Sequence, residues 1–372
     1  MRTKLQTLWP WALGAVLIIF LALLPVLAIY IPGVFPGPSY TPGTLQLLAS
    51  ALVFAAVALS YNLLLGSAGL LSFGHALYFG AGAYGLGIIL RNTGLSFWPA
   101  IFVVVIGVLL LAMATGAVSL RVTGIPFAMV TLAFAQAGSV WVRRNASITG
   151  GEEGLSLNVT NVPDQLVGVV NMKYMYWLAL VLVVLVYGIV LWVDKSRVGH
   201  IAAATRENEL RVNVLGLPPF KAKLLLFALA GLLAGLSGVV YMVVQSGTVP
   251  RAVSADLTIT ILVMVVLGGV GSRWGVIIGA IVYTLLNQRL TLLAQADFVE
   301  GLPGILRIPL SEPMFILGVM FILVVMFFPG GIAGAVQSVP TKKKPAKRTM
   351  QEPASPLESE EVTDERQYSH TG

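Results

Sequence analysis

The sequence predicts an all-α fold, a polytopic transmembrane helical bundle, from its composition, its runs of apolar residues and the placement of its charges. Of the 372 residues, 57% are hydrophobic and only 10% are charged, and the mean hydropathy is +0.88. A soluble domain typically carries about 25% charged residues, so this chain has too few polar side chains to coat a soluble fold of its length. We therefore expect its apolar surface to face lipid.

Apolar stretches predict about ten membrane spans, because a helix of about 20 apolar residues crosses the hydrocarbon core of a bilayer. The third and eighth stretches are short. The first is longer than the apolar region of a signal peptide and lacks a small-residue cleavage pattern, so we interpret it as a retained anchor. The predicted spans are 11–31, 43–65, 75–90, 97–119, 124–142, 174–193, 221–245, 257–271, 275–293 and 313–333.

The distribution of lysine and arginine predicts that the N- and C-termini are both cytoplasmic. An even number of spans places both termini on one side. With the N-terminus inside, most of the 23 lysines and arginines fall in cytoplasmic segments, including the run Lys342–Arg348. Cytoplasmic loops of membrane proteins carry such an excess. The net charge of +7 is therefore explained by topology, and we expect lipid and no nucleic acid as its partner.

Changes in composition divide the chain into two parts. Residues 1–340 form the predicted transmembrane domain, with a polar outer loop at about 143–173 and a cytoplasmic segment at about 195–220. Beyond Pro340 the chain becomes rich in lysine and proline and then acidic. Such a composition cannot bury enough apolar area to fold, so residues 341–372 are predicted to be a disordered cytoplasmic tail.

Several kinds of chemistry lack the residues that they require. The chain has no cysteine, and its three histidines share no metal-ligand spacing, so we expect no metal site and no catalytic site. Gly268–Gly271 is rich in glycine, but no lysine follows it as in a phosphate-binding loop. No predicted span has an acidic residue in its interior, where a proton-coupled carrier normally needs one; sodium coupling through backbone carbonyls stays open. We expect no cofactor in this chain and an external source of energy for any uphill transport.

The cytoplasmic segment after the sixth span combines helix-forming residues with mixed charges. Ala202–Leu215 is predicted to be one short helix, which Gly216 and Pro218 end. One interpretation is a solvated connector between two spans, and the other is a docking surface for a partner. The candidate contact residues are Arg206, Glu207, Asn208, Glu209, Arg211 and Gly216.

Four stretches occur together in this order: Tyr61–His75, Thr149–Leu155, Thr205–Phe227 and Met264–Gly275. Together they resemble the LivM-type permease family of branched-chain amino acid ABC transporters, which also includes urea and short-amide permeases. The resemblance implies a complex in the bacterial inner membrane with a second homologous permease subunit, two ABC ATPase subunits that bind ATP and Mg²⁺, and a periplasmic substrate-binding protein. It also implies that the charged cytoplasmic segment couples the bundle to the ATPases.

The resemblance predicts a permease subunit of an ATP-driven importer that carries branched-chain or similar small amino acids along a mostly apolar path. The chain itself would not be an enzyme, because ATP hydrolysis would occur in the partner subunits. A urea or short-amide ABC permease is the alternative within the family. A stand-alone secondary transporter, which would need no ATPase, is the alternative outside it.

Two local features have more than one interpretation. Glycines are dense between Gly66 and Gly87, which weakens regular helix and lets backbones approach closely. We predict that the residues at the second-to-third span junction lie near the translocation path, and close helix packing alone is an equal alternative. The pair Arg273-Trp274 is interpreted as an interfacial anchor, with an ATPase contact as the alternative. The junction residues are Ser72, Phe73, Gly74 and His75.

Overall fold

The computed structural model describes residues 14, 16–32, 35–294, 312–327 and 330–337, and most of these residues are helical. The helices are α1 (Pro42–Asn62), α2 (His75–Asn92), α3 (Phe97–Ser119), α4 (Ile125–Arg144), α5 (Ala146–Thr149), α6 (Met172–Asp194), α7 (Arg197–Glu207), α8 (Glu209–Val214), α9 (Pro219–Val244), α10 (Ala255–Gly268), α11 (Arg273–Ala294), α12 (Pro313–Phe327) and α13 (Gly331–Gln337). Residues 16–23 are also helical. A π-helical turn covers Leu63–Ala68, and 3-10 helices cover Gly151–Glu153, Val159–Asn161, Asp164–Leu166, Val169–Asn171 and Pro250–Val253.

The all-α polytopic fold is confirmed. Among the described residues, six helical segments are long and apolar enough to cross a membrane: Pro42–Ala68, Phe97–Ser119, Ile125–Arg144, Val169–Asp194, Pro219–Val244 and Arg273–Ala294. Two shorter apolar helices cover Ala255–Gly268 and Pro313–Val324. A helix lies in each predicted span from the second onward. The total of ten spans and the cytoplasmic placement of the termini stay predictions, and residues 338–372, with the predicted tail, lie outside the described residues.

α1 lies in the middle of the bundle. Pro42 stands in its first turn, where the fixed φ of proline suits a helix and its missing N–H is not needed. Every residue from Ala49 to Asn62 except Phe54 is buried, and the helix packs against α6, α9, α10 and α11. Its end widens into the π-helical turn, which Gly69 closes with φ of +67°. This conformation is readily available to glycine.

α2 and α9 pack backbone against backbone. A Cβ added at Gly82 would lie 1.9 Å from the carbonyl oxygen of Gly235, and one added at Gly238 would lie 1.9 Å from that of Phe79. Lipid tails are as apolar as leucine side chains, so helices in a membrane associate through such close contacts rather than through hydrophobic burial. The glycines of this region therefore have a packing function.

The predicted outer loop is tied to the far end of α9 by a short sheet. Strands β1 (Leu155–Ser156) and β2 (Gly247–Thr248) pair antiparallel, with Leu155 opposite Thr248. Gly154 precedes β1 with φ of +80°, and a Cβ there would lie 2.3 Å from the Thr248 carbonyl oxygen. Side chains larger than glycine are excluded at this position by both the conformation and the contact.

The predicted cytoplasmic segment corrects one expectation. It forms two helices, α7 and α8, rather than one helix across Ala202–Leu215. The break falls at Asn208, whose backbone is extended (φ −158°, ψ 102°) and whose side-chain Oδ1 accepts a hydrogen bond from the Arg211 N–H at 2.9 Å. Asparagine is among the strongest N-caps, so it starts a new helix here. Gly216, with φ of +74°, follows the end of α8 as predicted.

Candidate functional site

Arg206 joins α7 to the end of α1. Its Nη1 donates a hydrogen bond to the carbonyl oxygen of Gly66 in the π-helical turn. The aliphatic part of its side chain lies on Gly69, where an added Cβ would come within 2.7 Å of the Arg206 Cγ. The widened turn exposes a backbone carbonyl that a regular helix would use internally. Arg206, predicted as an ATPase contact, therefore holds the segment to the bundle.

A second contact joins α8 to α9. The Nζ of Lys223 lies 2.8 Å from the Oε2 of Glu209, with the lysine side chain 10% exposed and the glutamate side chain 42% exposed. Val212 of α8 is buried as well. A partly buried ion pair in hydrogen-bonding geometry is stronger than a fully exposed one. Glu209, another candidate contact residue, is thus also part of the attachment to the bundle.

Asp194, at the end of α6, is connected to two further segments, the π-helical turn and the start of α11. Its Oδ1 accepts a hydrogen bond from the Ser67 hydroxyl at 2.9 Å, and its Oδ2 lies 3.4 Å from the Arg273 Nη1. Sequence reasoning missed Asp194. Its position at a span end, on the same predicted side as Arg273, was the available signal. Arg273 pairs with this carboxylate, while the Trp274 ring lies 5.0 Å from that of Tyr187, so both interact within the described bundle.

The loop between α10 and α11 belongs to the same end of the bundle. The Oδ1 of Asn62 accepts a hydrogen bond from the Gly271 N–H at 2.8 Å. A Cβ added at Gly66 would lie 3.0 Å from the Gly271 Cα. The π-helical turn, α7, the end of α6 and the start of α11 therefore meet in one connected polar cluster. These contacts connect α7 to the end of α1 and, through Ser67 and Asp194, to α6 and α11.

The exposed face of α7 and α8 carries both apolar and charged side chains. Leu210, Val214 and Leu215 are 76%, 79% and 69% exposed; we call these three residues the α8 patch. The other candidate contact residues are exposed around it, namely Glu207, Asn208, Arg211 and Gly216. Contiguous exposed apolar side chains rimmed by charges are typical of a protein interaction surface.

At the junction predicted to line the path, neighbouring helices already satisfy the backbone. The N–H of Phe73 donates to the Thr131 hydroxyl and that of Ala76 to the Thr258 hydroxyl, both at 3.0 Å. The N–H of Gly74 donates to the hydroxyl of the buried Ser72 at 3.2 Å. Irregular backbone at membrane depth requires such partners. These amides are occupied within the protein, which favours the packing interpretation.

His75 begins α2 and is fully buried. Its Nε2 lies 2.8 Å from the Ser60 hydroxyl, and its ring is edge-on to Tyr61 and Tyr78 with centroids 5.2 and 6.3 Å apart. Within the described part of the chain, its Nδ1 has no hydrogen-bond partner. The junction residues 72–75 do not line the cavity described next, although Phe79, one turn further, does. Their role in translocation stays a prediction.

A cavity of about 370 Å³ lies between α1, α2, α9, α10, α11 and the start of α12. This volume lies within the range of small-molecule sites, about 300–1,000 Å³. No acidic residue is among the described residues that line it. These residues are Phe54, Phe79, Tyr241, Val249, Arg251, Ala252, Leu257, Thr260, Met264, Tyr283, Thr284, Asn287, Thr291, Pro313 and Met314.

The walls of the cavity differ in chemistry. Three aromatic rings form one part, with centroid separations of 6.4 Å for Phe54–Phe79, 6.0 Å for Phe54–Tyr241 and 5.1 Å for Phe79–Tyr241. Another part is polar, because α11 contributes Thr284, Asn287 and Thr291, which lie on one helix face. Sequence reasoning missed the cavity. Polar residues at helical spacing inside a span were the signal that could have found it.

The six long apolar helices, the cavity among the helices and the anchored α7–α8 segment are the features expected of a multi-pass permease. Residues 43–325 match the family model described as "Branched-chain amino acid transport system / permease component". This match covers more than half of the chain. The chain therefore belongs to this family of ABC transporter permeases, as its sequence resemblance predicted.

Similar proteins come from bacteria and an archaeon. The chain is 26% identical over 336 residues to the "High-affinity branched-chain amino acid transport system permease protein LivM" of Escherichia coli K12, covering 84% of this chain and 74% of that protein. It is 26% identical over 333 residues to the "Probable branched-chain amino acid transport permease protein LivM" of Methanocaldococcus jannaschii, covering 77% and 93%. The "Autoinducer 2 import system permease protein LsrC" of Yersinia enterocolitica is 29% identical over 206 residues, which cover 54% of this chain and 53% of that protein.

Proposed function

We propose that this chain is the membrane-spanning permease subunit of an ATP-driven importer that carries branched-chain or similar small amino acids across the bacterial inner membrane. The α8 patch on its firmly anchored segment carries the proposal. A docking element must expose a surface to its partner and must also be fixed to the helices that it moves. The exposed leucine and valine side chains supply the surface, and Arg206 and Glu209 supply the attachment.

The partners follow from this function. Two ABC ATPase subunits that bind ATP and Mg²⁺ would contact the predicted cytoplasmic end, and a second homologous permease subunit would complete the membrane pathway. A periplasmic substrate-binding protein would deliver cargo to the opposite end. ATP-driven movement of α7 would reach α1, α6 and α11 through Arg206, Ser67 and Asp194, because these side chains connect the elements by hydrogen bonds and an ion pair.

The relatives support the choice of cargo. Those with the longest matches are described as branched-chain amino acid permeases, and the aromatic and aliphatic lining of the cavity suits an apolar side chain. Release is as important as binding in a permease that receives cargo from a binding protein. We therefore expect the permease to bind its cargo with modest affinity.

Co-purification tests the assignment of the docking surface. The tagged chain would be isolated from native membranes, and the recovery of ABC ATPase subunits would be quantified by mass spectrometry together with leucine uptake. Two variants should lower ATPase recovery and leucine uptake about tenfold or more: Leu210→Asp, and the double variant Glu207→Ala with Arg211→Ala. The first places a charge in a desolvated interface, and the second removes polar contacts from it. Val170→Asp is the control, since Val170 is 91% exposed on the predicted outer loop. Recovery equal to wild type in all three variants would refute the assignment.

A further inference from the structure

We infer that the cavity is a binding site for an amino acid and that Arg251 binds its carboxylate. The inference rests on the proposed function for the choice of an amino acid as cargo. It adds the location of the site and the chemistry of recognition. The inference rests on one observation: Arg251 is the single charged residue among the described residues that line this aromatic-walled cavity.

Arg251 is available to a ligand. It stands on the 3-10 helix Pro250–Val253 that follows β2, and it lines the cavity. Among the residues that the structure describes, its guanidinium has no carboxylate within ion-pair distance and no hydrogen-bond partner. Guanidinium groups bind carboxylates through two parallel hydrogen bonds. A free guanidinium beside a small cavity therefore selects a carboxylate.

The other walls complete recognition of a zwitterion with an apolar side chain. Phe54, Phe79 and Tyr241 offer aromatic surface to an aliphatic group. The hydroxyl of Thr291 donates within its own helix at 2.8 Å, which leaves an oxygen lone pair available as an acceptor for an ammonium group. The side chain of Asn287 forms no hydrogen bond to the described residues and supplies a further acceptor.

The positive charge of Arg251 disfavours other cargo. A cationic amino acid would meet Arg251 without any acidic lining residue to balance its side chain, among the described residues. Urea and short amides carry no anionic group, so the guanidinium would give them no charge-assisted hydrogen bond. The cavity therefore favours neutral amino acids over the other substrates of this class.

The absence of native cysteine makes the site directly measurable. Thr284→Cys places one thiol in the cavity, and Thr93→Cys places one on the exposed end of α2 as the control. The full chain would be labelled in membranes with a water-soluble thiol reagent, with and without L-leucine. L-leucinamide, which has the same side chain and ammonium group but no carboxylate, is the second probe. L-leucine should slow labelling of the Thr284→Cys thiol, and L-leucinamide should not.

Arg251 variants in the Thr284→Cys background identify the carboxylate contact. Arg251→Gln should raise the L-leucine concentration needed for protection about tenfold or more, because a charge-assisted hydrogen bond is lost. Arg251→Lys keeps the charge and should retain part of the protection. Arg91→Gln, a change at an exposed arginine that does not line the cavity, should leave protection unchanged.

The outcomes separate this inference from the proposed function, because labelling requires no ATPase. No protection by L-leucine, equal protection by L-leucinamide, or full protection in Arg251→Gln would each overturn the inference, even if ATPases co-purify. Selective protection that depends on Arg251 would support the inference, even if ATPases do not co-purify with the chain. Equal protection by both probes would show that the site recognises the shared side chain and ammonium group without a carboxylate contact.

Discussion

Replacement of Gly69 by alanine tests the contact that fastens α7 to the end of α1. Gly69 has φ of +67°, and an added Cβ would come within 2.7 Å of the Arg206 Cγ. The side chain of Arg206 would have to move, and its hydrogen bond to the Gly66 carbonyl oxygen would weaken. Gly94 is the matched control, because it also has a positive φ of +51° but has no neighbouring atom within 4 Å of its added Cβ.

Both substitutions carry the conformational cost of a positive φ, and only Gly69→Ala also disturbs the Arg206 contact. A left-handed conformation costs an L-residue about 1–2 kcal/mol, so Gly94→Ala should lower stability by that amount. Gly69→Ala should lower it by about 2–3 kcal/mol, because it adds the loss of a charge-assisted hydrogen bond. We take that loss as about 1 kcal/mol, at the low end for charged groups, since Arg206 is exposed and solvent screens the interaction.

Unfolding of the purified chain in one detergent would measure both effects, with leucine uptake as the functional assay. A double-mutant cycle with Arg206→Ala isolates the contact. In the Arg206→Ala background, Gly69→Ala should cost no more than Gly94→Ala, because the clashing side chain is gone. Uptake should fall in Gly69→Ala and stay near wild type in Gly94→Ala. The reasoning fails if both glycine substitutions cost the same in wild type, or if the extra cost persists without Arg206.

Two further predictions concern the packing of α2. Gly82→Ala should abolish the folded, monodisperse species seen by size-exclusion chromatography, because its Cβ would lie 1.9 Å from a backbone carbonyl oxygen of α9. Gly107→Ala is the control and should fold normally, because no atom lies within 4 Å of its added Cβ. Equal behaviour of the two variants would contradict the packing. Thr258→Val leaves the Ala76 N–H without its hydroxyl acceptor inside the bundle and should lower stability by about 1–3 kcal/mol in detergent unfolding. An unchanged unfolding midpoint would show that this N–H has another partner.

Sequence patterns predicted the helices well for a physical reason. A membrane span satisfies its backbone hydrogen bonds within itself, so its position depends on local hydropathy and not on its neighbours. The helices Pro42–Asn62, Phe97–Ser119 and Pro219–Val244 therefore fall close to the predicted spans 43–65, 97–119 and 221–245. In the predicted cytoplasmic segment, the expected helix Ala202–Leu215 missed both the start of α7 at Arg197 and the break at Asn208. The capping geometry that produces this break depends on the backbone conformation of one residue.

The sequence by itself determined that this chain is an all-α membrane protein, and its motifs indicated the permease family. Only the tertiary structure decided which side chains meet. Arg206 binds a carbonyl oxygen 140 positions away, and Asn62 binds an N–H 209 positions away. The cavity likewise combines faces of several helices, and the rotation of each helix about its own axis is set by packing against its neighbours. Hydropathy reports how apolar a segment is, but it carries no information about which face of one helix lies against another.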